Sequence, residues 1–97
     1  MLLTVTRSKR MTEEQLQKAE DFLAEFLPRM KQQPGIVEIL HYARPDQGQA
    51  TTIVIWESKA YVRRYREGEL IKEAIGFEQS LGTSTIREGP FPVQRLV

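Results

Sequence analysis

Ile53-Val54-Ile55-Trp56-Glu57-Ser58 is an apolar run that closes on a tryptophan and passes at once into polar residues. Four consecutive apolar residues, three of them β-branched or flanked by β-branched neighbours, read as a strand buried on both faces. Ser58 stands where a helix would begin, and its hydroxyl is a candidate to accept a hydrogen bond from an unpaired first-turn N–H. Trp56 is the chain's one tryptophan. At the mouth of a strand it offers a large apolar wall with a single N–H donor. It suits a pocket for a flat organic molecule, and it equally suits a plain core position.

On the N-terminal side of this run, Ala50 to Trp56 extends the strand and Ile36 to Ala43 supplies its partner. Arg44-Pro45-Asp46-Gln47-Gly48-Gln49 between them is turn chemistry, so the two form a hairpin. Pro34-Gly35 ends whatever precedes the hairpin. That preceding segment is a helix with full start signals: Thr12 and Gln15 make a capping box, Met11 and Leu16 occupy the positions of a hydrophobic staple, and Glu13 and Glu14 face the positive end of the dipole. Leu16, Ala19, Leu23, Phe26, Leu27 and Met30 form its apolar stripe. Pro28 falls inside it and predicts a kink or a break, with a last turn reaching about Gln33. Leu2 to Thr6 is a first short strand, followed by a polar connection at Ser8-Lys9-Arg10.

On the C-terminal side, Ser58 to about Arg66 reads as a helix, Gly68 as a break, and Glu69 to Phe77 as a further helical stretch whose apolar side is Leu70, Ile71, Ala74 and Ile75. Thr83 to Glu88 is a fourth strand. Gly89-Pro90 bends it, and Phe91 to Val97 runs on as an extended tail suited by its prolines to an edge or a subunit boundary. The order β-α-β-β-α-β is the split βαβ plan of an α+β, ferredoxin-like fold, an antiparallel sheet with two helices on one face. Strand three sets Thr52, Val54 and Trp56 on one side and Ile53 and Ile55 on the other; strand two sets Val37 and Ile39 against Ile36 and Leu40. Neither side is polar enough to face water, so the second sheet face is expected to pack on a copy of itself in a homodimer.

The 97 residues are expected to form one domain. With 14 Lys+Arg against 13 Asp+Glu, the charge balance argues against nucleic acid as a partner. The cluster Arg63-Arg64-Arg66 is followed by Glu67 and Glu69 and reads as a solvated helix face. Strand three lacks the basic and aromatic pattern of an RNA-binding sheet. There is no cysteine, which rules out disulfide and thiolate chemistry. A single histidine rules out His-rich metal sites, and no EF-hand or paired-acid motif occurs, so no metal is expected. No signal-peptide pattern and no membrane-spanning apolar run is present, and the expected location is the cytoplasm.

The element order, Pro34-Gly35 before strand two, and Trp56-Glu57-Ser58 opening helix two together resemble the antibiotic biosynthesis monooxygenase domain of the dimeric α/β-barrel superfamily. The resemblance spans nearly the whole chain in element order but rests on short motifs. It implies two sheets face to face across a dimer, and in each subunit a pocket between sheet and helices for a small apolar or aromatic ligand. It also implies oxidation of phenolic substrates by molecular oxygen without a cofactor, because the substrate's own carbanion or phenolate reduces oxygen. The protein then needs a water-poor cavity, a proton acceptor, and donors for the developing anion.

Carried over on this resemblance, Trp56 matches the pocket tryptophan, and His41-Tyr42 fall where some members have a Tyr-His pair, here reversed. Thr52 stands where oxygenase-type members can have an asparagine, a residue this chain lacks altogether. The aromatic expected six positions after the tryptophan falls on Val62, with Tyr61 one position earlier, so either the helix is rotated or that role is absent. Ile75 occupies about the place of the histidine that ligates iron in heme-degrading relatives, and it has no such capacity. The candidate catalytic residues are thus His41, Tyr61 and Tyr65, and the candidate substrate contacts are Trp56, Thr52 and Tyr42. Each has a bland alternative: Trp56 as core, Tyr61 and Tyr65 as half-buried rings four apart on one helix face, His41 as a structural histidine rather than a base titrating near neutrality. Arg87 and Arg95 are expected to pair with carboxylates rather than with a substrate anion. The function classes left open are a monooxygenase, a non-catalytic small-molecule binder on the same fold, and an isomerase or cyclase.

Overall fold

The computed structural model describes residues 1–96, so Val97, the last residue of the expected tail, lies outside it. Its elements are β1 (Leu2–Lys9), α1 (Glu13–Lys31), β2 (Ile36–Arg44), a 3-10 turn (Pro45–Gln47), β3 (Gln49–Trp56), α2 (Lys59–Arg66), α3 (Glu69–Leu81) and β4 (Ser84–Pro92). The strands form one antiparallel sheet in the order β2-β3-β1-β4. This is the expected ferredoxin-like arrangement, with the second helical region divided at Gly68 as its break signal predicts.

α1 begins as its sequence dictates. Thr12 accepts from the Gln15 backbone N–H, and the Gln15 side chain returns a bond to the Thr12 N–H. Met11 and Leu16 are both buried, in one apolar cluster with Ala19 and Ala50. Pro28 does not break the helix, which runs uninterrupted to Lys31. The donor lost at Pro28 is outweighed by packing, since Phe26 and Met30 on either side of it are buried while Pro28 itself is exposed. Arg29 binds both Glu25 and Glu73, tying α1 to α3 at the surface. Its guanidinium holds the Glu73 carboxyl below the usual range.

Three strand expectations change. β1 continues through Ser8 and Lys9 instead of becoming a connection, because Ser8 pairs with both Ala50 and Thr85. In β2 a register shift between Ile36 and Glu38 breaks the alternation. Ile36 and Ile39 consequently both pack on the core, whereas Val37 and Leu40 are exposed. β4 does not end at Gly89-Pro90 but continues through that cis peptide to Pro92, pairing along β1 as an edge strand. At the start of α2, Ser58 has the extended backbone of an N-cap but makes no side-chain cap bond. In α3, Ile71 and Ala74 are buried as expected, while Ile75 is exposed and Phe77 turns inward.

The main core lies between the sheet and the helices: Phe26 and Met30 from α1, Val54 and Trp56 from β3, Val62 and Tyr65 from α2. Among the described residues no layer covers the opposite sheet face, and Leu40, Tyr42, Ile86 and Phe91 on it are each about half exposed. No helix among the described residues is long and apolar enough to cross a membrane.

Candidate functional site

The helix-facing side of the sheet is built in rows, because antiparallel register sets residues of neighbouring strands side by side. One row holds Ala43, Ala50, Ser8 and Thr85, all small. The next holds His41, Thr52, Thr6 and Arg87, all polar. Small side chains leave space beneath the helices, and polar ones line it. The result is a cavity with about 100 Å³ open to the centre of a water-sized sphere. Roughly 10–15 Å³ of such space holds one water, so this is room for a small organic molecule or several waters. Its roof is aromatic. Phe22 stacks on Phe77 of α3 with ring centres 4.1 Å apart and lies 5.1 Å from Phe26.

Trp56 is 1% exposed and forms one wall. Its Nε1–H donates to Thr4 Oγ1 at 2.9 Å, so its polar atom is satisfied and its ring faces the cavity as apolar surface. Core residue and pocket wall are therefore one role here. Tyr65, from α2, packs against it with ring centres 5.5 Å apart. Burial pushes the Tyr65 phenol up to about 12, with Arg87 opposing and Glu78 and Glu73 reinforcing the rise. Tyr65 is a neutral O–H donor at physiological pH. Val62, at the position expected to be aromatic, is buried and lines the cavity, whereas Tyr61 does not.

His41 on β2 and Thr52 on β3 are cross-strand partners and both line the cavity. His41 Nδ1 lies 2.8 Å from Thr52 Oγ1, and its Nε2 lies 2.9 Å and 3.2 Å from the two carboxylate oxygens of Glu20 on α1. At the opposite rim Arg87 makes a bidentate pair with Glu78, at 2.8 and 2.6 Å, so Arg87 has the carboxylate partner that was expected.

Of the six candidates, the fold brings His41, Thr52, Trp56 and Tyr65 to one cavity and leaves two elsewhere. Tyr61 and Tyr65 lie one turn apart on the same side of α2 and both meet the core, but Val62 and Tyr65 line the cavity while Tyr61 packs its ring over Gly35, outside it. Tyr42 follows His41 on a strand, where successive side chains point to opposite faces, and lies half exposed on the uncovered side of the sheet. Sequence reasoning missed Glu20, Glu78, Phe22 and Phe77. Glu20 had a signal: it lies beside Ala19 and four residues after Leu16, at the border of the apolar stripe of α1. Among the described residues no three His, Asp or Glu side chains converge to hold a metal ion.

No protein-family model matches the chain, and no curated protein matches its sequence. Solved structures do match. A Deinococcus radiodurans protein named as an antibiotic biosynthesis monooxygenase superposes with a TM-score of 0.81 at 11% identity, covering 100% of this chain and 99% of that one. SnoaB, a cofactor-independent oxygenase from Streptomyces nogalater, gives 0.66 at 17% identity over 99% of this chain and 95% of its own. A protein of unknown function from Nitrosomonas europaea gives 0.74 at 14%, covering 99% and 94%. At such identities what is shared is architecture: the chain has the ferredoxin-like fold of the antibiotic biosynthesis monooxygenase structures, end to end.

Proposed function

We propose that this protein is a cofactor-independent monooxygenase acting on a small, flat hydroxyaromatic such as a quinol or anthrone. The observation that carries the reading is one cavity with an aromatic roof and an apolar Trp56 wall, whose polar lining includes the hydrogen-bonded His41–Thr52 pair and Tyr65. Aromatic walls favour a planar ring. A paired histidine and hydroxyl supply a route for one proton, and a neutral phenol supplies a donor to the resulting oxyanion. For an activated methylene the balance is R₂CH₂ + O₂ → R₂C=O + H₂O: the substrate loses a proton, its carbanion reduces oxygen, and the peroxide formed on carbon collapses with loss of water. The oxygenase activity of SnoaB on the same fold supports the assignment.

The test is oxygen uptake with a panel of quinols and anthrones, read beside quenching of Trp56 fluorescence. Uptake with quenching is the expected outcome. Quenching without uptake would favour a binding protein, and product without uptake an isomerase. The isomerase is the second reading, because a His41–Thr52 proton route serves it equally well.

The apolar outer sheet face is assigned to a second copy of the chain. Leu40, Ile86 and Phe91 are half exposed there beside the partly covered Leu3, Val5, Ile53 and Ile55. A contiguous patch of this kind marks an interface, and a two-fold dimer would cover it.

A further inference from the structure

Glu20, His41 and Thr52 form a continuous chain of hydrogen bonds from α1 to the cavity wall. The end groups fix its direction. An ionised carboxylate only accepts hydrogen bonds, so the hydrogen between Glu20 and the ring sits on His41 Nε2. A neutral imidazole then has a bare Nδ1, and that nitrogen accepts the Thr52 hydroxyl hydrogen. Both ring nitrogens are thus occupied, and neither is free to meet a molecule in the cavity. Of these three hydrogen-bonded residues, it is Thr52 whose Oγ1 keeps lone pairs unused on the cavity side. Apolar residues would fill this space and hold the sheet to α1 without desolvating a carboxylate and a histidine, which are 34% and 18% exposed.

We propose that Thr52 is the catalytic contact that receives the substrate proton, and that His41 and Glu20 act through it as positioning residues. This rests on the proton-abstracting chemistry proposed above, not on its oxygen step. The substrate's C–H or O–H bond breaks and its proton joins Thr52 Oγ1. The hydroxyl's own proton passes to His41 Nδ1. The electron pair stays on the substrate as a carbanion or phenolate, and the imidazolium so formed, with hydrogen on both nitrogens, faces the Glu20 carboxylate. The substrate class this selects is a hydroxyarene or carbon acid, with its acidic hydrogen directed at β3 and its oxyanion within reach of Tyr65.

The test uses the full chain and has two arms. His41 is the one histidine, so ¹⁵N–¹H correlation spectra of histidine-labelled protein report its tautomer without ambiguity. Above the pH at which the ring loses its charge, the wild type is expected to be hydrogenated at Nε2, and Glu20→Gln, which adds a donor, to shift population toward Nδ1–H. A wild type hydrogenated at Nδ1 would overturn the proposal. The second arm measures deuterium entry at the methylene carbon of dithranol in D₂O under argon. Thr52→Val, close to isosteric, is expected to lower the rate about a hundredfold, and Thr52→Ser to recover most of it. Glu20→Gln is expected to lower the rate and displace the acidic limb of its pH profile, which a purely structural contact would not move. Wild-type rate in Thr52→Val with loss in His41→Gln would show that the histidine meets the substrate directly, and the relay would fall. Exchange under argon without oxygen uptake in air would sink the monooxygenase reading while leaving the relay standing.

Discussion

Trp56 is held by one hydrogen bond, from its indole N–H to Thr4 Oγ1. Thr4→Val keeps the shape and removes the acceptor. An N–H inside a residue only 1% exposed is then left without a partner, at a cost of about 1–3 kcal/mol. Urea unfolding followed by Trp56 fluorescence should show the loss as a lower midpoint with an unchanged slope. Tyr65 makes a second prediction. Its pKa is raised in the fold to about 12, against about 10 for an unfolded tyrosine. A group raised in this way holds its full stability share below pH 10 and gives it up as the pH climbs toward 12, because the unfolded chain releases the proton first. Thermal unfolding should therefore weaken between pH 10 and 12, with a shallower fall in Tyr65→Phe. At this scale the chemistry of Trp56, His41 and Thr52 was legible, since residue type states what a side chain can donate or accept. Which partner it finds was not: nothing local links Thr4 to Trp56 or Glu20 to His41.

At the scale of elements, Gly35 joins α1 to β2 and shows how a turn is tied to a distant helix. It has φ +83°, and a Cβ there would lie 2.1 Å from Tyr61 Cγ. Gly35→Ala meets both a disfavoured backbone and a ring in the way, which together cost about 2–4 kcal/mol. Adding Tyr61→Ala should relieve the steric part but not the backbone part, so the two changes should be non-additive in a double-mutant cycle of unfolding free energies. The capping box of α1 and the break at Gly68 were readable because their signals are local. The register shift after Ile36 was not, and it reversed the predicted sides of part of β2. Strand alternation has period two, and a single added residue undoes it without any mark in composition. At Pro28 the break, one of the two outcomes its sequence allowed, does not occur: a strong local breaker is overruled by the burial of Phe26 and Met30.

The molecule as a whole is a sheet with helices on one side only, 36 × 32 × 20 Å. It exposes 6349 Å², about a tenth more than the roughly 5,700 Å² of a monomer of this mass. The excess agrees with an uncovered apolar face. Light scattering at micromolar concentration should give twice the 11.3 kDa chain mass. Leu40→Glu, at a half-exposed site on that face, should return the monomer without unfolding it, because a charge there is costly only when a partner covers it. A wild type scattering as a monomer would remove the dimer.

Hydrophobic period, caps and turn residues are encoded within a few positions of one another, and they determined the order β-α-β-β-α-β and the place of Trp56 at the junction of β3 and α2. The site is a product of register and packing between segments far apart in sequence. Only the tertiary structure brought Glu20 to His41, set Thr52 and Thr6 side by side beneath a roof of Phe22 and Phe77, and seated Tyr61 at Gly35 while Tyr65 lines the cavity. A cavity is the space that neighbouring side chains fail to fill, and that failure is a property of their arrangement, not of any one stretch of chain.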